Sequence, residues 1–189
     1  MRKLIVAIIV VATLGAGGWW GITLLTSQAS DGSAAAAASP SCPSAAPVTV
    51  GQIVVPAGPV DGFCQPELVM AAHIMNAARD QGIGTHTQAV GVMTAIGESG
   101  LQNLDHGDTA GPDSRGLFQQ RDNGAWGSLT DRMDPYTAAS NFFAKLTTID
   151  GWQTMTPTLL AHAVQVNADA NYYAQYWTEA QDIVNALGG

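Results

Sequence analysis

One segment constrains the fold of this chain more than any other. Residues 85–98, THTQAVGVMTAIGE, place apolar side chains around most of the circumference of a helix, and a helix of this kind is buried inside a domain. Thr85 and Gln88 fit a capping box at its start. Glu98 is the only acidic residue between positions 81 and 103. The pattern predicts a domain packed around this helix, with a single carboxyl group at the helix end.

The position of Glu98 has a chemical consequence. A carboxyl group at the end of a buried helix is partly desolvated, which disfavours its charged form and raises its pKa. A general acid working at neutral pH needs a raised pKa of this kind. The alternative interpretation is a glutamate that extends into water from a helix C-terminus, and the local pattern leaves both open.

The loop that follows this helix concentrates acidic residues and glycines. Asp105, Asp108 and Asp113 lie in it, and Asp and Gly at this density indicate turns. Their spacing does not fit the calcium-loop pattern, and His106 with Asp108 is too small a set to bind a metal, so no metal is expected. Residues 116–120, GLFQQ, predict a short strand that forms one arm of a small β-ribbon beside the buried helix.

The remaining pattern completes a mainly α-helical domain over residues 61–189. One helix precedes the buried one and begins at Pro66, where apolar positions recur at helical spacing. Two later helices begin with an N-cap residue followed by proline, at positions 134–135 and 156–157. A last helix, predicted over positions 170–187, carries an aromatic stripe that is interpreted mainly as core.

The chain before this domain has the composition of a membrane-targeting segment followed by a linker. Residues 1–26 hold Arg2 and Lys3 and then an apolar run long enough to cross a bilayer, with its basic end in the cytoplasm. An uncleaved membrane anchor is predicted, with a signal peptide cleaved near Ala29 as the alternative. Residues 27–60 are rich in Ala, Ser and Pro and predict a linker. The domain is therefore expected outside the cytoplasm, anchored to the membrane.

Charge and cysteine content limit the function further. The formal net charge is -8, and the part after the apolar run carries about ten net negative charges, since all 15 acidic residues and 5 of the 7 basic ones lie there. Nucleic-acid binding is not expected on this balance. Cys42 and Cys64 predict a disulfide in an oxidising compartment. Within the linker, residues 48–60 either pair as a short strand or lie along the domain surface.

Two motifs resemble those of the lysozyme-like superfamily, specifically the soluble lytic transglycosylase domains that cut peptidoglycan. The family's first motif is a Glu-Ser pair that ends a buried helix, matched here by Glu98 and Ser99. Its second is Gly-Leu-Met-Gln, matched by Gly116, Leu117, Phe118 and Gln119 except for the Phe in place of Met. The resemblance covers roughly residues 65–180. Within this family, the chain resembles an actinobacterial branch of exported, conjugation-associated wall enzymes.

The resemblance implies a role for each matched residue. Glu98 is expected to be the single acid and base that cleaves the β-1,4 bond between N-acetylmuramic acid and N-acetylglucosamine, without a metal or organic cofactor. The other residues expected to contact substrate are Ser99, Gly116, Leu117, Phe118, Gln119, Gln165, Trp126 and Tyr172. The third family motif is Ala-Tyr-Asn, and the corresponding residues 163–165 are Ala-Val-Gln in this chain. The tyrosine of the motif is therefore missing, and Tyr172 and Tyr173 are the candidates to replace it.

Two alternatives remain at the level of sequence. Asp105, Asp108 and Asp113 are candidates for a second carboxylate, which would favour hydrolysis by a muramidase of the same fold over the transglycosylase reaction. A catalytically silent wall-binding or scaffold module is the other. Expected partners are peptidoglycan glycan strands and, through the N-terminal segment, the membrane. A conjugation or secretion apparatus is a partner suggested by family analogy alone.

Overall fold

The computed structural model describes residues 41–188, which form a mainly helical fold with one two-stranded antiparallel sheet. This confirms the predicted fold class at that level. In chain order the elements are β1 (Val48–Val50), β2 (Ile53–Val55), α1 (Gln65–Asp80), α2 (Thr85–Ser99), α3 (Leu129–Met133), α4 (Pro135–Leu146), α5 (Pro157–Gln165) and α6 (Trp177–Ala186). The predicted membrane segment and the first part of the predicted linker lie outside the described residues. Among the helices of residues 41–188, none has the length and hydropathy needed to cross a membrane.

Helix α2 is the central element of the core. It packs against α1, α5 and α6, and every residue from Gln88 to Ile96 is buried. The predicted capping box at its start is wrong: Gly84 is the N-cap residue, and the Gln88 side chain donates instead to the Ile83 carbonyl at 2.9 Å. The helix ends at Ser99 because Gly100 adopts the left-handed conformation, with φ of 63°. The apolar pattern thus placed this helix correctly and only its cap differs.

The small sheet lies in a different part of the chain from the predicted ribbon. Strands β1 and β2 pair as a hairpin before α1, so residues 48–55 follow the strand alternative. Residues 116–119 form a tight turn, closed by a backbone pair between Arg115 and Gln120. They cannot form an extended strand because φ is positive at Gly116 (75°) and at Gln119 (45°).

The hairpin is attached to α1 by side-chain bonds and by the predicted disulfide. The Asn76 amide donates to the Val50 carbonyl at 2.8 Å, and the Gln65 amide donates to the Ala46 carbonyl at the same distance. Cys42 and Cys64 are bonded to each other, which confirms the disulfide. The later part of the predicted linker is therefore packed onto the helical domain.

The C-terminal helix is shorter than predicted and is preceded by a separate turn. Residues Tyr172–Tyr176 form a 3₁₀ helix, and α6 begins only at Trp177. The Tyr173 side chain is fully buried and Tyr172 is partly buried, and this 3₁₀ helix packs against α2. This break determines which tyrosine reaches Glu98.

Candidate active site

A cleft of about 820 Å³ lies at the C-terminal end of α2. We call it the Glu98 cleft. Its walls come from the end of α2, the loop after it, the 116–119 turn, the end of α5 and the 3₁₀ helix that follows. The residues that line it are Gly97, Glu98, Leu104, His106, Gly107, Asp108, Ala110, Gly111, Ser114, Phe118, Gln119, Arg121, Gln165, Val166, Asn167 and Tyr172.

Glu98 is partly buried at the edge of this cleft and is held by a tyrosine. The Tyr173 hydroxyl donates a hydrogen bond to the Glu98 carboxylate, and the Tyr172 hydroxyl donates to the Gly97 carbonyl at 2.8 Å. Gly97 makes this approach possible, since a Cβ at that position would lie 2.9 Å from a ring carbon of Tyr173. The glycine inside a buried helix thus leaves room for the aromatic ring that reaches the acid.

The surroundings of Glu98 favour its protonated form. Burial raises the pKa of the Glu98 carboxyl above its ordinary value, the hydrogen bond from Tyr173 acts in the opposite direction, and the nearby charge of Asp108 raises the pKa again. Both tyrosines keep their protons at neutral pH, because burial raises the pKa of Tyr172 to about 12 and raises the pKa of Tyr173 as well. Of the two interpretations that the sequence left open, this environment favours the partly desolvated carboxyl with a raised pKa over a glutamate that extends into water.

The 116–119 turn is fastened to the helix ends by side chains from both sides. The Ser99 hydroxyl donates to the Leu117 carbonyl at 2.8 Å, and the Gln165 amide donates to the Phe118 carbonyl at 2.9 Å. Gln119 forms part of the cleft wall, with its amide donating to the Gly116 carbonyl at 3.2 Å. The two motifs that carry the family resemblance are therefore in direct contact.

A buried arginine supports this turn from behind. Arg132 on α3 is 3% exposed, and its guanidinium donates to the carbonyls of Asp113 and Gln120 at 3.1 and 3.3 Å. It also pairs with the Asp122 carboxylate at 3.1 Å. A Cβ on Gly116 would lie 2.0 Å from the Arg132 carbonyl, so only glycine fits where the turn crosses α3.

The candidate second carboxylates occupy three different environments. Asp108 lines the Glu98 cleft and accepts a hydrogen bond from the Gly111 amide at 2.7 Å. Asp105 is exposed, does not line the cleft and pairs with His106 at 3.0 Å. Asp113 is occupied by Arg121 at 2.6 Å, and this guanidinium holds the pKa of Asp113 down at about 2. Asp108 is the candidate that shares a cavity with Glu98.

Several predicted contact residues have structural positions instead. Ser99, Gly116 and Leu117 are buried and do not line the cleft, and the Ser99 hydroxyl instead bonds to the Leu117 carbonyl. Trp126 is 5% exposed and lies under the Lys145 ammonium, 4.6 Å from the ring centroid, away from the cleft lining. A sugar-stacking role for Trp126 has no support from this placement, because its ring is covered by the fold. Glu98, Phe118, Gln119, Gln165 and Tyr172 do line the cleft.

Some site residues were not singled out from the sequence. Of the two tyrosines considered as replacements for the family tyrosine, Tyr173 contacts Glu98, although Tyr172 was the one counted among the substrate contacts. Arg121, Val166 and Asn167 also line the cleft. No local pattern marks these three, because their place depends on how the end of α5 and the 116–119 turn come together.

Comparison with known proteins leaves the family resemblance as a hypothesis. No protein-family model matches this chain, and a search of curated proteins finds no significant relative. Function is therefore argued from the Glu98 cleft itself.

Proposed function

We propose that this chain is an exported lytic transglycosylase that cleaves the β-1,4 bond between N-acetylmuramic acid and N-acetylglucosamine in peptidoglycan. The observation that carries the proposal is the partly buried Glu98 carboxyl, which opens onto a cleft of about 820 Å³ and is held by the Tyr173 hydroxyl. A protonated carboxyl at a cleft wide enough for a glycan is what general-acid cleavage requires. The lysozyme-like fold and the resemblance of the two contacting motifs belong to the same proposal.

The proposed reaction uses Glu98 twice. The protonated carboxyl donates its proton to the glycosidic oxygen, and the bond from that oxygen to C1 of the muramic acid breaks. The resulting carboxylate then takes the proton of the C6 hydroxyl of the same sugar while that oxygen bonds to C1, giving a 1,6-anhydro product. Each turnover restores the protonated Glu98, so no metal or cofactor takes part in the proposed scheme.

Tyr173 and Gln119 have supporting roles in this scheme. The Tyr173 hydroxyl keeps the Glu98 carboxyl in one orientation and stabilises the carboxylate that forms midway through the reaction. Gln119 and Tyr172 line the cleft and offer an amide and an aromatic ring to the glycan. Membrane anchoring, the extracytoplasmic location and a link to a conjugation or secretion apparatus complete the proposal.

Hydrolysis by a muramidase of the same fold is the second candidate, because of one observation. Asp108 lines the same cleft as Glu98, so a second carboxylate is available to activate water. Asp108→Asn separates the two reactions. A transglycosylase keeps forming anhydro products with this variant, whereas a hydrolase that uses Asp108 loses its reducing-end products.

The test is mass spectrometry of purified peptidoglycan digested by the full chain. We expect products that end in 1,6-anhydro-muramic acid, and we expect Glu98→Gln to lower their rate by about 10²–10⁴-fold, the usual contribution of a general acid. Glu67→Gln on α1 is the matched control, since Glu67 caps that helix and does not line the cleft.

Two other outcomes of this digestion would each exclude one of the candidate functions. Reducing-end products that depend on Glu98 would replace the transglycosylase with the muramidase. A folded protein that yields no Glu98-dependent product from several wall types would overturn the enzyme and leave a wall-binding or scaffold module.

A further inference from the structure

Val166 combines three properties that rarely occur together. It lies at the end of α5 with a left-handed backbone (φ of 57°), the residue is 74% exposed, and it lines the Glu98 cleft. Among the exposed large apolar residues of the described part of the chain, Val166 is the most exposed. The fold gains little packing from it.

The backbone conformation makes this residue a strained choice for its position. A helix C-terminus in the left-handed region is normally occupied by Gly or Asn, because a Cβ is disfavoured there. A β-branched side chain with positive φ is a genuine outlier, and residues held in this way concentrate at functional sites. Strain without burial points to a role outside folding.

The neighbours of Val166 hold it in this conformation. The Val166 amide donates to the His162 carbonyl at 2.7 Å, and the Gln165 amide reaches across to the Phe118 carbonyl at 2.9 Å. The His162 ring nitrogen and the Asn167 side-chain oxygen lie 2.6 Å apart. Both flanking side chains are held by these bonds, and Val166 lies between them in the lining of the cleft.

We infer that Val166 is a substrate-contact residue that receives the acetamido methyl group of an N-acetylated sugar. The inference rests on the proposed function, since it takes the ligand to be a glycan. A saccharide offers hydroxyl groups to Gln119, Asn167 and Arg121, which line the same cleft. The acetamido methyl is the apolar group that each sugar of the proposed substrate carries, and a branched aliphatic side chain on a fixed turn is a suitable partner for it.

The test separates the fold from the ligand. Val166→Gly relieves the positive φ, so we expect the melting temperature to rise, whereas the affinity for an N-acetylated glycan falls about 3- to 10-fold, the effect of losing one buried methyl contact. Val166→Asn tolerates the same backbone and should behave in the same way. Leu159→Ala is the control, because Leu159 is an exposed residue of the same helix outside the cleft lining.

The binding experiment uses the full chain carrying Glu98→Gln, so that the ligand is not cleaved. The probes are the tetrasaccharide of N-acetylglucosamine and its N-formyl counterpart, which keeps the amide and lacks only the methyl group. We expect Val166→Gly to weaken binding of the N-acetyl probe and to leave binding of the N-formyl probe unchanged. An equal effect on both probes, no effect on either, or no binding of either probe would overturn the inference.

The digestion assay decides the proposed function separately. If cleavage depends on Glu98 but Val166→Gly does not weaken binding of the N-acetyl probe, the role inferred for Val166 is wrong and the proposed enzymatic function stands. Binding of the N-acetyl probe that depends on Val166, from a chain that cleaves nothing, would keep the inference and remove the enzyme.

Discussion

At the scale of single residues, the proposed chemistry depends on opposing effects on the pKa of one carboxyl group. Burial and the charge of Asp108 raise the pKa of Glu98, and the hydrogen bond from Tyr173 lowers it. Gly97 decides whether Tyr173 reaches the acid at all, because a larger residue would meet the ring. The acid strength of Glu98 is therefore adjusted by two neighbours whose removal has opposite signs.

The pH dependence of cleavage tests this balance. The proposed reaction needs protonated Glu98, so we expect kcat/KM to fall as the pH rises through the pKa of this carboxyl. Asp108→Asn removes a charge that raises the pKa of Glu98, so the alkaline limb moves to lower pH. Tyr173→Phe removes a bond that favours the carboxylate, so the limb moves to higher pH and kcat falls by roughly 10-fold or more.

Measuring the pH profile of kcat/KM on glycan strands checks both shifts. Asp105→Asn is the control, since Asp105 is exposed and lies outside the cleft lining, and its profile should match that of the unaltered chain. Shifts of the same sign for Asp108→Asn and Tyr173→Phe would contradict this account of the site.

At the scale of elements, the 116–119 turn is positioned by α3, a helix of only five residues. Its buried Arg132 bonds to carbonyls on both sides of the turn, and the turn crosses the Arg132 carbonyl at Gly116. Phe118 stacks on Phe142 of α4, with ring centroids 4.7 Å apart, and fixes the other face. The wall of the cleft that carries Gln119 is therefore held by contacts distant in sequence.

Replacing Arg132 should loosen this wall. Arg132→Met removes the guanidinium donor from the carbonyls of Asp113 and Gln120, and the Gln120 carbonyl then keeps only its bond from the Arg115 amide. We expect the free energy of unfolding to fall by about 1–3 kcal/mol, because the Asp113 carbonyl loses its donor. Asp122→Asn should cost less than about 1 kcal/mol, because the Asp122 side chain is 70% exposed. Denaturant unfolding of both variants gives the comparison, and equal losses would mean that the ion pair, and not the carbonyl bonds, supports the turn.

At the scale of the whole molecule, the Glu98 cleft lies at one end of α2. Residues 42–64, which we call the N-terminal clasp, pack on α1. The Cys42–Cys64 bond closes a segment with a sequence separation of 22 and holds the β1–β2 hairpin against that helix. None of the residues of this clasp lines the Glu98 cleft. Stability and activity should therefore respond differently when the disulfide is removed.

Reduction of the disulfide should lower stability and spare the chemistry. A closed segment of this length contributes about 3 kcal/mol by restricting the unfolded chain, so we expect a lower melting temperature in the presence of a reductant. The double variant Cys42→Ser, Cys64→Ser should melt at the lower temperature whether or not reductant is present. Product spectra at 25 °C should be unchanged, and a loss of cleavage from a folded reduced chain would show that the clasp reaches the site.

The helical core was predictable because its signals are local. Local sequence patterns predict the apolar helix α2, the start of α4 at the proline after Asp134, and the disulfide. The Asp134 carboxylate does accept a hydrogen bond from the Thr137 amide at 2.8 Å, as expected of an N-cap residue. The ribbon at 116–120 was misplaced because its strand-like composition is overridden by positive φ at Gly116 and Gln119. These conformations are imposed by Arg132 and α3, which lie outside the local window.

By itself the sequence determined that a single glutamate ends a buried helix, and that a disulfide joins the start of the domain to the segment before it. Only the tertiary structure decided which side chains surround that glutamate. The hydroxyl of Tyr173 contacts Glu98, and Asp108 and the exposed Val166 line the same cleft, so three separate segments contribute to this site. The reason is physical: helix periodicity and capping act over a few residues, whereas burial, charge and cavity shape depend on which distant segments pack together.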